Sequence, residues 1–175
     1  RPSQGHSDNL PLPETEQELK NIAFASSNKI QWEKAYFNIE AEHRSYIYKF
    51  CEGMDIVMTL DADEIVEPQD VAHAIKLVSE TDKKYIGIRG FKNFWRGFSY
   101  YLDDGFTPIR FINLHNPEGT EGAVDMRIYH FSCAQKESTI RYKWGVSGHK
   151  NELRAGWIDN ILYGWTPENN MKNLH

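Results

Sequence analysis

The residues best suited to chemistry lie at positions 61–64, where Asp61-Ala62-Asp63-Glu64 places three carboxylates within four residues. Like charges this close disfavour ionisation, and a divalent cation removes that cost. Mg²⁺ and Mn²⁺ prefer oxygen ligands and are commonly held by one or two carboxylates together with substrate phosphates. In an extended chain, Asp61 and Asp63 project to the same side, so both can face one ligand. The cluster therefore predicts a metal site; the alternative is a solvated acidic turn in front of a helix.

The segments on either side of this cluster define its place in the fold. Residues 55–60 form a short apolar run rich in β-formers, which predicts a buried, central strand that ends at Asp61. Pro68 stands where a helix would begin, and residues 85–89 predict the next strand. Strand, acidic turn, helix and strand are typical of an α/β domain, in which ligands bind at the carboxyl ends of the strands. The predicted helix presents four apolar side chains on one face: Val71, Ala74, Ile75 and Val78.

The rest of the chain supplies further elements. Residues 1–13 are polar and contain three prolines, so we expect a loop or arm there. Thr15 and Glu18 fit a capping box, which predicts a helix from Thr15 to about Phe24. Residues 30–51 predict a second helix, because apolar and aromatic side chains recur there at spacings of three and four. Beyond the acidic cluster we expect an aromatic loop, two strands and a helix: residues 92–106, 108–113, 125–131 and 136–147.

Composition narrows the class of protein. The chain has 175 residues and a formal charge of −5, which argues against a nucleic-acid coat protein. Residues 1–80 hold 15 acidic and 7 basic side chains, a net of −8, whereas residues 81–175 hold 10 and 13, a net of +3. An acidic half beside a mildly basic half suits a metal and a diphosphate, and chance surface variation is the alternative.

Cysteine usage and hydropathy bear on location. Cys51 and Cys133 are the only cysteines, and neither stands in a metal-ligand spacing, so we expect a reduced, cytoplasmic chain. No apolar run approaches the roughly 20 residues that span a bilayer. The length suits one domain, which we expect over residues 14–175.

Residues 56–66, which contain Leu60-Asp61-Ala62-Asp63-Glu64, resemble the "LDADE" segment of family 2 glycosyltransferases, which have the GT-A fold. The resemblance covers about residues 54–150 and implies a GT-A-like mixed sheet flanked by helices. Three more segments are similar to the family's in the same order, namely an aromatic segment, an "IRIIRN" strand and an "IYHY" strand: Phe94-Trp95-Arg96-Gly97 with Tyr100-Tyr101, Ile109-Arg110-Phe111-Ile112-Asn113, and Ile128-Tyr129-His130-Phe131.

The resemblance implies metal-dependent transfer of a sugar from a nucleoside-diphosphate sugar to an acceptor hydroxyl, with inversion. Asp61 would contact the ribose or a metal-bound water, Asp63 would bind Mn²⁺ or Mg²⁺, and His130 would be a further metal ligand. From the residues alone, His130 is equally interpreted as a core histidine. Basic side chains that follow His130 would contact the diphosphate, or else form a solvated basic face: Arg141, Lys143, His149, Lys150 and Arg154.

An inverting transferase needs a carboxylate as general base, and three residues are candidates: Asp104, Asp103 and Glu121. The Asp pair ranks first because it lies in the aromatic loop, although Asp-Asp-Gly is also an ordinary turn sequence. Glu121 ranks last because only nine residues separate it from His130, which suggests that it lies on the metal side. Aromatic side chains of the loop would stack on the acceptor or pack in the core: Trp95, Tyr100 and Tyr101.

Two departures from the family limit these expectations. The nucleotide-binding first half of a GT-A domain has no clear counterpart upstream of Glu14, so the chain is expected to be a fragment or the later part of a longer enzyme. The stretch from Leu114 to Ala123 is also short, which leaves the base unassigned. The acceptor is open among saccharides, lipids, proteins and other polymers. The alternatives are a metal-dependent nucleotidyl- or phosphotransferase, and a non-catalytic binding or assembly module.

Overall fold

The structure is a computed structural model that describes residues 15–37, 40–102, 105–146 and 155–166. Its residues group into two compact units. The first comprises Arg1–Phe50 with Arg141–Arg154, and the second comprises Cys51–Ile140 with Ala155–His175. The expectation of one domain over residues 14–175 did not include this division. Each unit is therefore described by itself.

Helix α1 of the first unit, Glu16–Ser26, begins where the capping box predicted. The Thr15 backbone N–H donates to the Glu18 carboxylate at 2.8 Å, and the Glu18 backbone N–H donates to the Thr15 hydroxyl at 3.2 Å. These bonds satisfy two N–H groups that a helix start leaves without intrahelical partners. Hydrogen bonds from Thr15 also hold the pKa of Glu18 below its usual value. The prediction of this helix is confirmed.

Helix α2, Glu40–Tyr48, is much shorter than the helix predicted over residues 30–51. Residues 30–37 are not helical, so the first half of that prediction is wrong. The side chains of this segment bind α1 instead. Lys34 forms an ion pair with Glu16, and Lys20 lies over the Trp32 ring at 5.7 Å. Hydrogen bonds from Lys34 and Lys20 lower the pKa of Glu16 to about 2.

Four rings of the first unit form one cluster. The Phe37 ring lies 5.5 Å from His43 and 5.1 Å from Tyr46, and Tyr46 lies 5.5 Å from Phe50. These four rings border a cavity of about 390 Å³. The residues thus share a cluster without sharing one helix.

The second unit contains a six-stranded sheet whose main path has the order β1-β5-β3-β6-β2, with β4 paired to β3. The β3·β6 pair is parallel and every other pair is antiparallel. With its helices, this mixed sheet confirms the α/β class. The strands are β1 Ile56–Met58, β2 Glu64–Val66, β3 Tyr85–Trp95, β4 Tyr101–Leu102, β5 Ile109–Asn113 and β6 Glu121–Cys133.

The strand directions bring several chain segments to one edge of the sheet. Strands β1, β3 and β6 run in the same direction, so their carboxyl ends lie together along one end of the sheet. We call this end, which is formed by strand termini and not by an outermost strand, the carboxyl edge. Strands β5 and β2 run the other way and begin there. The acidic cluster follows β1 at this edge, as predicted. Within the described sheet, however, β1 is an edge strand of intermediate burial, so the prediction of a buried, central strand is wrong.

Helix α3, Pro68–Glu80, covers the core face of the sheet and has Pro68 in its first turn, as predicted. Ala74 and Val78 are fully buried. Ile75 is 43% exposed, so its assignment to the buried face is wrong; Leu77 packs on the core in its place. The largest core side chains beneath the helix come from three strands: Ile86, Ile88, Phe111 and Ile128.

The aromatic loop predicted over residues 92–106 is partly strand. Strand β3 continues to Trp95, and β4 pairs Leu102 with Asn93 and Tyr101 with Phe94. Two elements complete the described chain. Helix α4, Glu137–Val146, lies close to its predicted bounds, and a π-helix over Trp157–Leu162 was not predicted.

A bulge in β6 opposite Gly90 interrupts the pairing of β3 with β6. The register shifts between Arg89 and Phe91, and Gly90 has a φ of +102°. A Cβ atom at Gly90 would lie 2.8 Å from the Met126 carbonyl oxygen, so this position requires glycine on two grounds.

We therefore expect Gly90→Ala to lower the free energy of unfolding more than a matched glycine substitution does. Gly119→Ala is the control, because Gly119 has a φ of +76° but nothing within 4 Å of an added Cβ. The control should lose about 1–2 kcal/mol from backbone strain. Gly90→Ala should lose a further ~1–3 kcal/mol from the steric clash. Denaturant unfolding measures both, and equal losses would contradict the close approach to Met126.

Candidate functional site

The acidic cluster lies on a segment that joins the two edge strands of the sheet. After β1, the Thr59 backbone N–H donates to the Arg110 carbonyl on β5 at 2.8 Å. Before β2, the Asp63 carbonyl accepts from the Phe131 backbone N–H on β6 at 2.8 Å. Strand β3 lies between β5 and β6, so residues 59–63 pass across it. The carboxylates are therefore held on a segment anchored at both ends.

A buried guanidinium organises two of the three carboxylates. The Arg110 side chain is 9% exposed and that of Glu64 is fully buried. Arg110 donates through Nε and Nη2 to the two Glu64 oxygens, at 3.0 and 2.5 Å. Arg110 Nη2 also donates to Asp61 Oδ2 at 3.0 Å, and the Asp61 backbone N–H donates to Glu64 at 3.1 Å. This two-pronged geometry is the strong form of the Arg–carboxylate pair.

The contacts of Arg110 with Glu64 and Asp61, which we call the Arg110 network, change the charge argument made from the sequence. Three adjacent carboxylates suggested that a divalent cation must offset their repulsion. In the structure, Arg110 supplies a positive charge to both Asp61 and Glu64. Neither Arg110 nor Glu64 was assigned a role from the sequence. The available signal was an arginine inside the apolar strand Ile-Arg-Phe-Ile, because a charge buried there needs a carboxylate partner.

The third carboxylate, Asp63, faces His130. The two lie close, with 3.6 Å between Asp63 Oδ1 and His130 Nε2, and their side chains are 24% and 19% exposed. The other ring nitrogen of His130, Nδ1, lies 3.0 Å from the Asn93 side-chain oxygen. His130 is paired with Glu64 on β2 and with Asn93 on β3. The structure thus brings Asp63 and His130 together, and it adds Asn93, which the sequence analysis missed.

Asp63 and His130 suit a divalent cation as partial ligands. Within the described residues, no group of three or more His, Cys, Asp or Glu side chains is arranged to hold a metal ion. Mg²⁺ and Mn²⁺ sites, however, often use one or two protein ligands and take the rest from water and substrate phosphates. A carboxylate oxygen and an imidazole nitrogen 3.6 Å apart fit that pattern. Asp61 is held by Arg110 and contributes negative charge beside them.

The three aromatic residues expected at an acceptor site have different surroundings. Trp95 is 3% exposed and packs edge-on against Trp157 at 5.7 Å, so it is a core residue rather than a stacking surface. Tyr100 and Tyr101 are 49% and 52% exposed. Lys92 lies 4.9 Å above the Tyr101 ring. Only the two tyrosines remain candidates for contact with an acceptor.

The candidate bases are not brought to the carboxyl edge within the described residues. Asp103 and Asp104 lie outside those residues. Glu121 begins β6 opposite Tyr85, which begins β3, so it lies at the other edge of the sheet. Nine strand residues separate it from His130, about 30 Å at ~3.3 Å per residue. The expectation that Glu121 lies on the metal side is wrong because an extended strand carries it away from His130, and its role as base stays a prediction.

Two of the basic residues expected to bind the diphosphate lie in the part of the chain that the structure describes. Arg141 and Lys143 lie on α4, in the part of that helix that belongs to the first unit. Their role, like the positions of His149, Lys150 and Arg154 outside the described residues, remains a prediction.

Comparison of the chain with protein-family models, with curated proteins and with solved structures found no match. Among the described helices, none has the length and apolar character that crossing a membrane requires.

Because Arg110 and Glu64 are buried together, we expect Glu64→Leu to lower the free energy of unfolding by about 3–5 kcal/mol, since it leaves a buried guanidinium without its main partner. The double variant Glu64→Leu with Arg110→Met removes both charges and should recover most of that loss. Urea unfolding of the wild type, of each single variant and of the double variant completes the double-mutant cycle.

Asp125→Ala is the matched control for this cycle, because its ion pair with Arg89 lies on the surface, with side chains 78% and 57% exposed. Its stability should stay within error of the wild type, since water screens the exposed pair. The central role given to Arg110 is wrong if Glu64→Leu loses no more stability than this control.

Proposed function

We propose that the chain is the metal-binding, catalytic part of a glycosyltransferase that moves a sugar from a nucleoside-diphosphate sugar to an acceptor hydroxyl, with inversion. The observation that carries the proposal is the Asp63–His130 pair, 3.6 Å apart, beside an acidic turn at the carboxyl edge of a mixed α/β sheet. The sequence resemblance over residues 54–150 supplies the reaction class. The sheet position supports it, because ligands of α/β proteins bind at that edge.

In this proposal, Asp63 and His130 would hold Mn²⁺ or Mg²⁺ as partial ligands. The metal, when bound, offsets the negative charge of the diphosphate leaving group. Asp61 keeps the position that Arg110 gives it, and its carboxylate would contact the donor ribose or a water of the metal site. Tyr100 and Tyr101 contribute exposed rings for an acceptor sugar.

One observation favours a different function, the non-catalytic binding or assembly module. Arg110 supplies an internal cation to two of the three carboxylates, so the acidic turn can be stable without a metal. A thermal-shift screen of sugar nucleotides with Mn²⁺ distinguishes the two functions. A donor present at 100 times its Kd should raise the free energy of unfolding by about 2.7 kcal/mol. No stabilisation by Mn²⁺ or by any nucleoside diphosphate would favour the module.

We expect Asp63→Ala to abolish Mn²⁺-dependent transfer of the sugar and to leave the fold intact, because its side chain serves charge more than packing. Product formation by the 175-residue chain measures transfer, and circular dichroism measures the fold. Asp125→Ala removes an exposed carboxylate from the same sheet and should retain wild-type transfer. Unchanged transfer by Asp63→Ala would rule out its metal role. Release of phosphate or nucleotide without sugar transfer would indicate the nucleotidyl- or phosphotransferase alternative.

A further inference from the structure

Arg96, which directly follows β3, has an unusual backbone conformation. Its φ is +54°, and every other described residue with a positive φ is a glycine. The left-handed region crowds a Cβ atom, so glycine is the usual residue there. The Arg96 backbone N–H donates to the Cys133 carbonyl at 3.0 Å, which holds this conformation at the end of the strand. A residue kept in a conformation that costs free energy points to a use for its side chain.

Neutral groups hold the Arg96 guanidinium in place. Its Nη1 donates to the Trp165 carbonyl at 2.7 Å, and its central carbon lies 5.7 Å from the centre of the Tyr163 ring. Arg96 is nevertheless exposed, and no carboxylate among the described residues forms an ion pair with it. By contrast, Arg89 on the same strand forms an ion pair with Asp125. The positive charge of Arg96 is therefore positioned but not neutralised.

The contacts of Arg96 lie on the face of the sheet that carries His130. Asn93 and Trp95 are two residues apart on β3, so their side chains share one face. The Asn93 side chain contacts the His130 ring at 3.0 Å. The Trp95 ring lies 6.4 Å from that of Trp165, the residue whose carbonyl accepts from Arg96. The guanidinium and the imidazole are thus held on the same side of the sheet.

Arg96 is also close to the Asp63–His130 pair along the strands. Its backbone N–H is bonded to Cys133, which follows His130 by three residues on β6. Three residues of extended strand cover about 10 Å at ~3.3 Å per residue. The Phe131 N–H, which anchors the Asp63 carbonyl, lies within this stretch. The cation and the candidate metal ligands therefore border the same part of the carboxyl edge.

We propose that Arg96 is a phosphate-binding residue, whose guanidinium contacts a phosphate group of the donor beside the Asp63–His130 pair. A guanidinium presents its N–H groups in a planar fork that matches phosphate oxygens. The bond to Trp165 uses only one of its five N–H groups. That this phosphate belongs to a sugar-nucleotide donor rests on the proposed function, whereas the affinity of the chain for a phosphate does not.

Three variants separate the charge of Arg96 from its structural contact. Arg96→Gln keeps an N–H donor for the Trp165 carbonyl and removes the charge. Arg96→Lys keeps the charge and an N–H donor but removes the planar fork. Arg89→Gln is the matched control, because it removes the same charge from β3 at a position where Asp125 already neutralises it. Circular dichroism confirms that each variant is folded.

Calorimetric titration with inorganic pyrophosphate, in metal-free buffer, measures binding without donor or activity. The ionic strength is kept low because salt screens charges near the surface. We expect Arg89→Gln to bind pyrophosphate as the wild type does, and Arg96→Lys to retain most of the affinity. Arg96→Gln should bind about 10–100-fold more weakly, because it loses charge-assisted hydrogen bonds to the phosphate oxygens.

Two results would overturn the role of Arg96. One is a wild-type chain that does not bind pyrophosphate, and the other is an Arg96→Gln variant that binds it as tightly as Arg89→Gln does. If Arg96→Gln and Arg96→Lys lose stability but bind like the wild type, Arg96 only holds Trp165 in place and the inference fails.

Asp63→Ala keeps this inference apart from the proposed function. It should retain pyrophosphate binding in metal-free buffer, because a carboxylate contributes no attraction to an anion. Normal sugar transfer by Asp63→Ala would then refute the proposed function and leave the role of Arg96 standing. Loss of transfer by Asp63→Ala, together with equal pyrophosphate binding by the wild type and Arg96→Gln, would do the reverse.

Discussion

The second unit depends on the need to neutralise one buried charge. Arg110 lies in a strand between apolar neighbours, and a guanidinium there is tolerated only with a partner that satisfies both its charge and its hydrogen bonds. Glu64 is that partner. It begins β2, which is separated in the strand order from β5, the strand of Arg110, by β3 and β6. To bring the two together, the chain must carry Glu64 across β3. The acidic turn is thus the segment of chain that carries Glu64 to Arg110, and this role does not depend on a ligand.

The three carboxylates of the acidic cluster have different surroundings. Glu64 is structural, because it is fully buried and bound by both arms of Arg110. Asp61 belongs to both roles, since it accepts from Arg110 while its side chain remains 40% exposed. Asp63 lies beside His130, with 3.6 Å between Asp63 Oδ1 and His130 Nε2. Three carboxylates that are adjacent in the sequence therefore differ in their partners and in their burial.

Local signals in the sequence were sufficient for some elements and misleading for others. The Thr15 capping box and Pro68 each marked a helix start correctly, because the groups that decide a helix start lie within a few residues of one another. The helix expected over residues 30–51 was overextended, since the side chains of residues 32–34 bind α1 rather than a helical neighbour. Strand order is set by distant partners, so the edge position of β1 was not visible.

The residues of the candidate site, too, were predicted only in part from the sequence. The Asp63–His130 pair was anticipated through the resemblance, but the Arg110–Glu64 pair and Asn93 depend on strand register that no short motif encodes. Glu121 was misjudged because separation along a sequence was interpreted as separation in space. Nine residues cover little distance in a helix and about 30 Å in a strand.

The pairing of the strands around the acidic turn has a consequence for the order of folding. Strand β1 pairs with β5, from Ile56 to Asn113, and β2 pairs with β6, from Glu64 to His130. Both strands that hold the turn are thus completed by partners roughly 50–65 residues later in the chain. Contacts of such high contact order form slowly, because a long loop must close before they stabilise anything. During synthesis from the amino terminus, the turn acquires its fixed shape only after β6 has emerged. Until then, the Asp63 carbonyl lacks the Phe131 N–H that anchors the end of the turn.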